Sequence, residues 1–193
     1  MKINNGLLRK KEGEQMNSIK HFNTITAHKL MVMKLCFKVG LYKQGLLHDL
    51  SKYKWIEFSA GAKYYKGDQS PNGIQKQKEG YSAAWLHHKG RNKHHTEYWI
   101  DYGDKIEEGM VGMKIPTKYV VETFIDRIAA SRNYQKENYR DDSPLKYYNY
   151  GKNYSIMHPE SRALLEELLQ KLADEGEEAT LKYIRTEILK NKN

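Results

Sequence analysis

The chain has 193 residues, enough for one domain with a real core, and it is polar, with 30% charged residues and a mean hydropathy of −0.86. No apolar run approaches the roughly 18 residues of a spanning helix, and no apolar segment follows the basic N-terminus to make a secretory signal, so a cytoplasmic location and no membrane contact are expected. The formal charge of +9 raises nucleic-acid binding, but the lysines are scattered and never form a basic block, so a small phosphorylated substrate is favoured over nucleic acid.

Residues 1–16 lack periodicity and read as a flexible tail. The codons for Lys11 to Gln15 can spell GGAG shortly before the Met16 codon, which makes Met16 a candidate native start and the preceding residues a translated leader. A DNA sequence unable to spell GGAG there removes the idea. From Ser18, a plausible N-cap, His21, Ile25, His28, Val32, Leu35 and Val39 recur at intervals of three and four and form one inward helical stripe ending at Gly40. The single cysteine, Cys36, sits among Leu35, Phe37 and Val39 and reads as a core residue of a reducing compartment.

A second helix is expected over about 41–53. It contains adjacent His48 and Asp49, which on a helix would stand about 100° apart and lean toward one point. Imidazole with carboxylate is a good mixed ligand pair for a divalent metal. Trp55, Phe58, Ala62 and Tyr65 suggest a third short helix, and residues 67–80 read as a loop. The segment from Trp85 to Trp99 then holds four of the eight histidines, as His87-His88 and His94-His95 around a Gly-Arg-Asn turn. A helix end, a tight connection and a helix start would aim several imidazoles into one cavity.

Gly103 to Gly112 reads as a loop. Pro116 suits a helix start, and Val120, Val121, Phe124, Ile125 and Ile128 give the next helix its apolar face. On it Glu122 and Asp126 lie one turn apart and repel unless a cation faces them. That cation is either a metal, favoured for Asp126, or Lys118 and Arg132 of the same helix. Residues 134–157 read as a tyrosine-rich loop. His158 caps a helix that runs to about Ala173, and Glu177 to Lys190 forms another, making a hairpin around Gly176. Almost nothing alternates with period two, so the fold is expected to be all-α: a metal-binding helical domain over 17–157, with the hairpin of 158–193 packed on it.

The order His28, His48-Asp49, paired histidines, Asp126 resembles the HD-domain superfamily of metal-dependent phosphohydrolases, which place a histidine, an adjacent His-Asp pair and a distant aspartate on a helical bundle. The stretch Gly-Leu-Tyr-Lys-Gln-Gly-Leu-Leu-His-Asp-Leu-Ser-Lys (40–52) and the segment His87–Trp99 are similar to a family of uncharacterised bacterial and phage proteins related to that superfamily. The resemblance covers about 20–133. It implies an HD-like bundle in which His28, His48, Asp49 and Asp126 hold a first metal. His88 and His95, with His87 and His94 as alternates, would hold a second. One or two divalent ions are implied, of Mn, Fe, Zn, Ni, Co or Mg type.

The implied reaction is hydrolysis of a phosphoester, with a nucleotide as substrate, by water whose pKa the metal lowers toward ~7. In that reading Asp49 bridges the metals, Glu122 orients the water, and Lys52, Arg91 and Lys93 bind the substrate phosphate. Two other readings fit the same ligands. One is a helical di-iron-type protein with redox chemistry. The other is a non-catalytic, metal-stabilised protein that binds nucleic acid. The turn lacks the Gly-Tyr-Pro signature of cyclic-dinucleotide phosphodiesterases, so that activity is not implied.

Overall fold

A computed structural model describes residues 3–190, with side chains described from residue 15. Eight α-helices dominate it: α1 (Ile3–Lys38), α2 (Tyr42–Leu47), α3 (Trp55–Lys63), α4 (Pro71–Glu79), α5 (Ala83–Lys89), α6 (Thr117–Gln135), α7 (Ser143–Gly151) and α8 (Pro159–Tyr183). The fold is therefore mostly α, as expected. No helix among the described residues is long and apolar enough to cross a membrane.

The α1 stripe is buried at every expected position, from His21 to Val39. The helix nevertheless begins at Ile3, well before the expected Ser18. Residues 3–16, read as a tail, extend it as helix. Propagation onto an existing helix needs only good helix formers, and Leu, Arg, Lys, Glu and Gln supply them without an apolar stripe. Residues 1, 2 and 191–193 lie outside the described residues.

The core has three layers. Val32, Leu35 and Cys36 of α1, with Val39 just past its end, face Val120, Val121, Phe124, Ile125 and Ile128 of α6, and α6 in turn packs on Leu165, Leu168, Leu169 and Leu172 of α8. Each such fully buried side chain contributes about 1.5–3 kcal/mol relative to exposure. Because α6 lies between two layers, it can present ligands toward α1 while its opposite side secures the fold. α1 also packs on α2 and α3, and α5 packs on α3.

The chain reverses within α8, at the Gly176 position that the leucine pattern required. Gly176 breaks the helix at φ 81°, ψ 173°, a backbone that L side chains rarely adopt. Beyond it the Tyr183 hydroxyl donates to Glu167 at 2.6 Å and its ring packs under Lys171, so the hairpin is closed. His158 is a cap, its Nδ1 accepting from the Glu160 amide.

Three stretches read as loops carry structure. Residues 67–80 contain α4, which starts at Pro71 with its preset φ and stops at Gly80 in the left-handed region. Residues 103–112 belong to a small antiparallel hairpin, in which β1 (Ile100–Tyr102) pairs with β2 (Met110–Gly112). The tyrosine-rich segment contains α7, whose Tyr148 is buried while Tyr147 and Tyr150 are exposed. Tyrosine abundance hid a helix started by Ser143 and Pro144.

Candidate metal centre

The site is built where α2 stops. Leu47 ends the helix, His48 takes an extended backbone (φ −51°, ψ 127°), and Asp49 is left-handed (φ 54°, ψ 21°) before a short 3₁₀ turn, Leu50–Tyr53. The pair is thus not carried on a continuous helix over 41–53, as the sequence suggested. A non-glycine residue in that region costs on the order of 1 kcal/mol, least for Asp and Asn. The break is what turns both side chains toward one point. Lys29 of α1 secures it, donating to the carbonyls of Leu46 (2.7 Å) and His48 (3.0 Å).

Around Asp49 converge side chains from α1, α5, α6 and the turn after α5. His28 Nε2 lies 2.9 Å from Asp126 Oδ1 and 3.7 Å from Asp49 Oδ2, and His48 Nε2 lies 3.3 Å from Asp49 Oδ2 and 3.4 Å from Asp126 Oδ1. On the other carboxylate oxygen, Asp49 Oδ1, are His88 Nε2 at 3.3 Å and His94 Nε2 at 3.4 Å. Two ligand sets result. One is His28, His48, Asp49 and Asp126; the other is Asp49, His88, His94 and His95, each with donor atoms mutually within 4.8 Å. Ligands about 2.0–2.2 Å from one ion lie within about 4.4 Å of each other, so each set needs only a few tenths of an ångström of closure to hold a metal.

The donor atoms fit a metal for a second reason. His28 Nε2, His48 Nε2, His94 Nε2, His95 Nε2 and both oxygens of Asp49 are buried and make no directed hydrogen bond. Several lie close to an opposite charge, Lys52 Nζ being 2.6 Å from Asp49 Oδ2, but the angles are wrong for hydrogen bonding. Buried polar atoms are rarely left in this state, and six of them at one place call for a cation. The sets can each hold a metal ion.

Carboxylates behind the rings fix their orientation. Glu122 Oε1 lies 2.9 Å from His48 Nδ1 and 3.3 Å from His94 Nδ1. Glu57 Oε2 lies 2.8 Å from His88 Nδ1, and the Ser51 hydroxyl donates to the same oxygen at 3.1 Å. An ionised carboxylate only accepts, so Nδ1 carries the proton and Nε2 presents its lone pair to the centre. His48, His94 and Glu122 also form a third close cluster, but with Nδ1 so engaged it is a hydrogen-bonded triangle.

The electrostatics follow. Burial alone would raise the Asp49 carboxyl, but His48, Lys52 and His88 outweigh it and hold it well below the usual range. Burial likewise opposes charge at Asp126, and His28 and His48 keep it low. Burial holds His95 well below the ordinary imidazole value, with His94 and His88 adding to the effect, and it lowers His28 despite nearby acids. His48 and His88 are raised because Asp49 and their other acidic partners overcome the burial penalty.

Of the histidine pairs, His88 and His95 face the centre as expected, and His94 joins them. His87 does not; its Nδ1 is held at 2.5 Å by Glu57 Oε1. The reason is local. His87 and His88 are consecutive on α5, so only one can face inward. His94 and His95 lie in a non-helical turn, where both rings come to the same side, 4.2 Å apart. The Thr123 hydroxyl of α6 lies against the His94 carbonyl and holds this turn down.

A cavity of about 700 Å³ opens over the centre, with Asp49, Lys52, His88, His95, Asp126 and Tyr134 in its wall. Lys52 thus lies in the cavity wall. Arg91 and Lys93 do not: they line a separate depression of about 220 Å³, with Lys43 and Lys118, reached from the Glu122 side. The turn that brings His94 inward carries its flanking residues to that other surface. Glu122 belongs to the same depression and not to the cavity wall. Its carboxylate is engaged with the imidazoles of His48 and His94. Arg132 pairs with Glu177 at 2.7 Å and leaves Glu122 and Asp126 to the histidines.

Glu57, Ser51, Asn92 and His21 were not read from the sequence as parts of the site. Glu57 had one signal, an acid amid Trp55, Ile56 and Phe58. The His21 ring packs so closely on α3 that a Cβ at Gly61 would lie 2.0 Å from His21 Nε2. Burial, with Lys52 nearby, lowers His21 to about 4. No curated protein and no solved structure matches the chain. The profile of a family of unknown function, DUF5662, matches residues 17–171, most of the chain, and the protein belongs to that family.

Proposed function

We propose that the protein is a metal-dependent phosphohydrolase of HD type. The observation that carries the reading is Asp49, which offers one oxygen to each of two ligand sets at the floor of a cavity that also contains Lys52. Divalent ions of the Mn, Fe, Zn, Ni, Co or Mg type, when bound there, would supply a water of lowered pKa and offset charge on a phosphoryl oxygen. The chain's own residues do the rest. Asp49 and Asp126 provide the negative charge that attracts the ions, and His28, His48, His88, His94 and His95 would provide neutral donors, His48 and His88 giving up a proton as the ions bind. Glu122 and Glu57 hold three of those rings in one tautomer. Lys52 supplies a cation for the substrate phosphate, and burial of the floor strengthens every charge interaction made there.

A nucleotide is the proposed substrate class. The superfamily resemblance suggests it, and the cavity volume falls within the 300–1,000 Å³ common for small-molecule sites. The test measures metal content and phosphate release from a nucleotide panel for the wild type and Asp49→Ala. Metal-dependent release lost in Asp49→Ala supports the reading. Metal bound without release from any phosphoester, or release unchanged in Asp49→Ala, overturns it. Two bound irons with oxygen-sensitive absorbance would point to redox chemistry instead.

A further inference from the structure

Arg127 follows Asp126 on α6 and lines the same cavity. Its Nε is buried without a hydrogen-bond partner, and among the described residues it takes part in no ion pair. Asp126 is adjacent in the chain and Glu97 lines the same cavity, yet neither pairs with it. Its packing partner is the Tyr148 ring, 5.3 Å from the guanidinium carbon. That ring is a fixed platform, because the Tyr148 hydroxyl donates to Glu166 (2.9 Å) and accepts from Arg162 (3.1 Å). A guanidinium stays charged at any working pH, and burying part of one, as here, is unfavourable unless an anion meets it. Stacking on a tyrosine face orients it but does not neutralise it.

The cavity has room for that anion beside the metal ligands. It follows α6 from Asp126 through Ala130 to Tyr134, a distance of about 12 Å at 1.5 Å per residue. Lys52 stands at the floor against Asp49, beside the first phosphoryl position and not the second. Arg127 is only one residue from Asp126 but is rotated about 100° around the helix, toward α7. The position is therefore adjacent to the phosphoryl site and distinct from it.

We infer that Arg127 is an anion receptor for a second phosphoryl group, linked to the one held over Asp49 and Asp126, so that the substrate carries a diphosphate or longer phosphate chain. The guanidinium fork suits two phosphoryl oxygens at once. This inference rests on the phosphohydrolase reading and narrows its substrate.

The test uses binding, so that turnover is not required. Metal-loaded wild type, Arg127→Gln and Arg127→Lys are titrated calorimetrically with methylphosphonate and with methylenediphosphonate, at constant free metal. Melting temperature and metal content are measured alongside. Arg127→Gln should weaken diphosphonate binding roughly 10- to 100-fold and change methylphosphonate binding less than about threefold. Arg127→Lys, which keeps the charge without the fork, should fall between, and it carries the test if the Gln variant does not fold. Equal loss for both ligands, or no loss for either, overturns the role of Arg127 while leaving the phosphohydrolase reading intact. Metal-loaded wild type that binds neither phosphonate overturns both.

Discussion

The two ligand sets share Asp49 but are built in different ways. His28, His48, Asp49 and Asp126 come from α1, the end of α2 and α6, elements distant in the chain and joined by the main core. His88, His94 and His95 come from one corner, tied down by Glu57 and by Thr123. The first set adds two carboxylates to two imidazoles; the second adds three imidazoles to the shared carboxylate. The first therefore carries more negative charge and suits harder ions, while the second is richer in nitrogen and suits Zn, Fe or Ni. The difference also separates stability from function. The first set exists wherever α1 packs on α6, whereas the corner can be altered without touching that core.

The strongest way to break the comparison is to remove one private ligand from each set. Asp126→Ala should cost the first set its ion and His95→Ala the second, each lowering one affinity more than about 100-fold while the other changes less than about tenfold. Titration with Mn and Zn, followed calorimetrically, checks this. Loss of both ions from His95→Ala would show that the sets are not separable.

A smaller effect tests the carboxylates behind the rings. Glu122→Gln reaches one imidazole in each set and should weaken both affinities roughly 10- to 100-fold, whereas Glu57→Gln should weaken only the second set by a similar factor. A Glu57→Gln variant that affects both sets equally would mean that its role is to hold the fold.

His21 stands outside both sets and allows a stability test on the α1 side. Its imidazole has a folded value of about 4 against an ordinary 6.5, so it takes up its proton on unfolding. Its contribution to stability is complete above pH ~6.5 and is lost as pH falls toward 4, on the order of 3 kcal/mol in all. Thermal melts of the wild type and His21→Gln from pH 7.5 to 4.5 should therefore converge with acid. Parallel curves would contradict the assignment.

The smallest effect is expected at the other depression. Arg91→Ala with Lys93→Ala should change kcat/KM for a phosphoester less than about threefold, because neither residue lines the cavity, and exposed charges act weakly through salt-containing water. A loss above tenfold would return them to the substrate site.

Much of this arrangement was legible in the residues, for identifiable reasons. The stripe from His21 to Val39 and the apolar face of α6 follow the 3.6-residue period that packing imposes, so the inward positions of His28 and Asp126 could be read. His48-Asp49 was recognisable as a pair, but the left-handed turn at Asp49 was not, since aspartate there has no unique signature. The choice between His87 and His88 depended on where α5 stops, and the inclusion of His94 depended on a turn with no period. Glu57 and Arg127 act through partners brought together by α3–α5 and α6–α7 packing, and no local pattern carries that information. The same is true of Arg91 and Lys93, whose charge was visible but whose side of the turn was not.

The central claim is that Asp49 joins two metal sites, and metal binding itself tests it most directly. Wild type and Asp49→Ala are dialysed to equilibrium against Mn, Fe or Zn and analysed for bound metal per chain, with melting temperature as a check on folding. About two equivalents are expected in the wild type, with most of that metal lost in the variant. A wild type that takes up no metal at any of these conditions, or a folded Asp49→Ala that keeps the wild-type content, would contradict it.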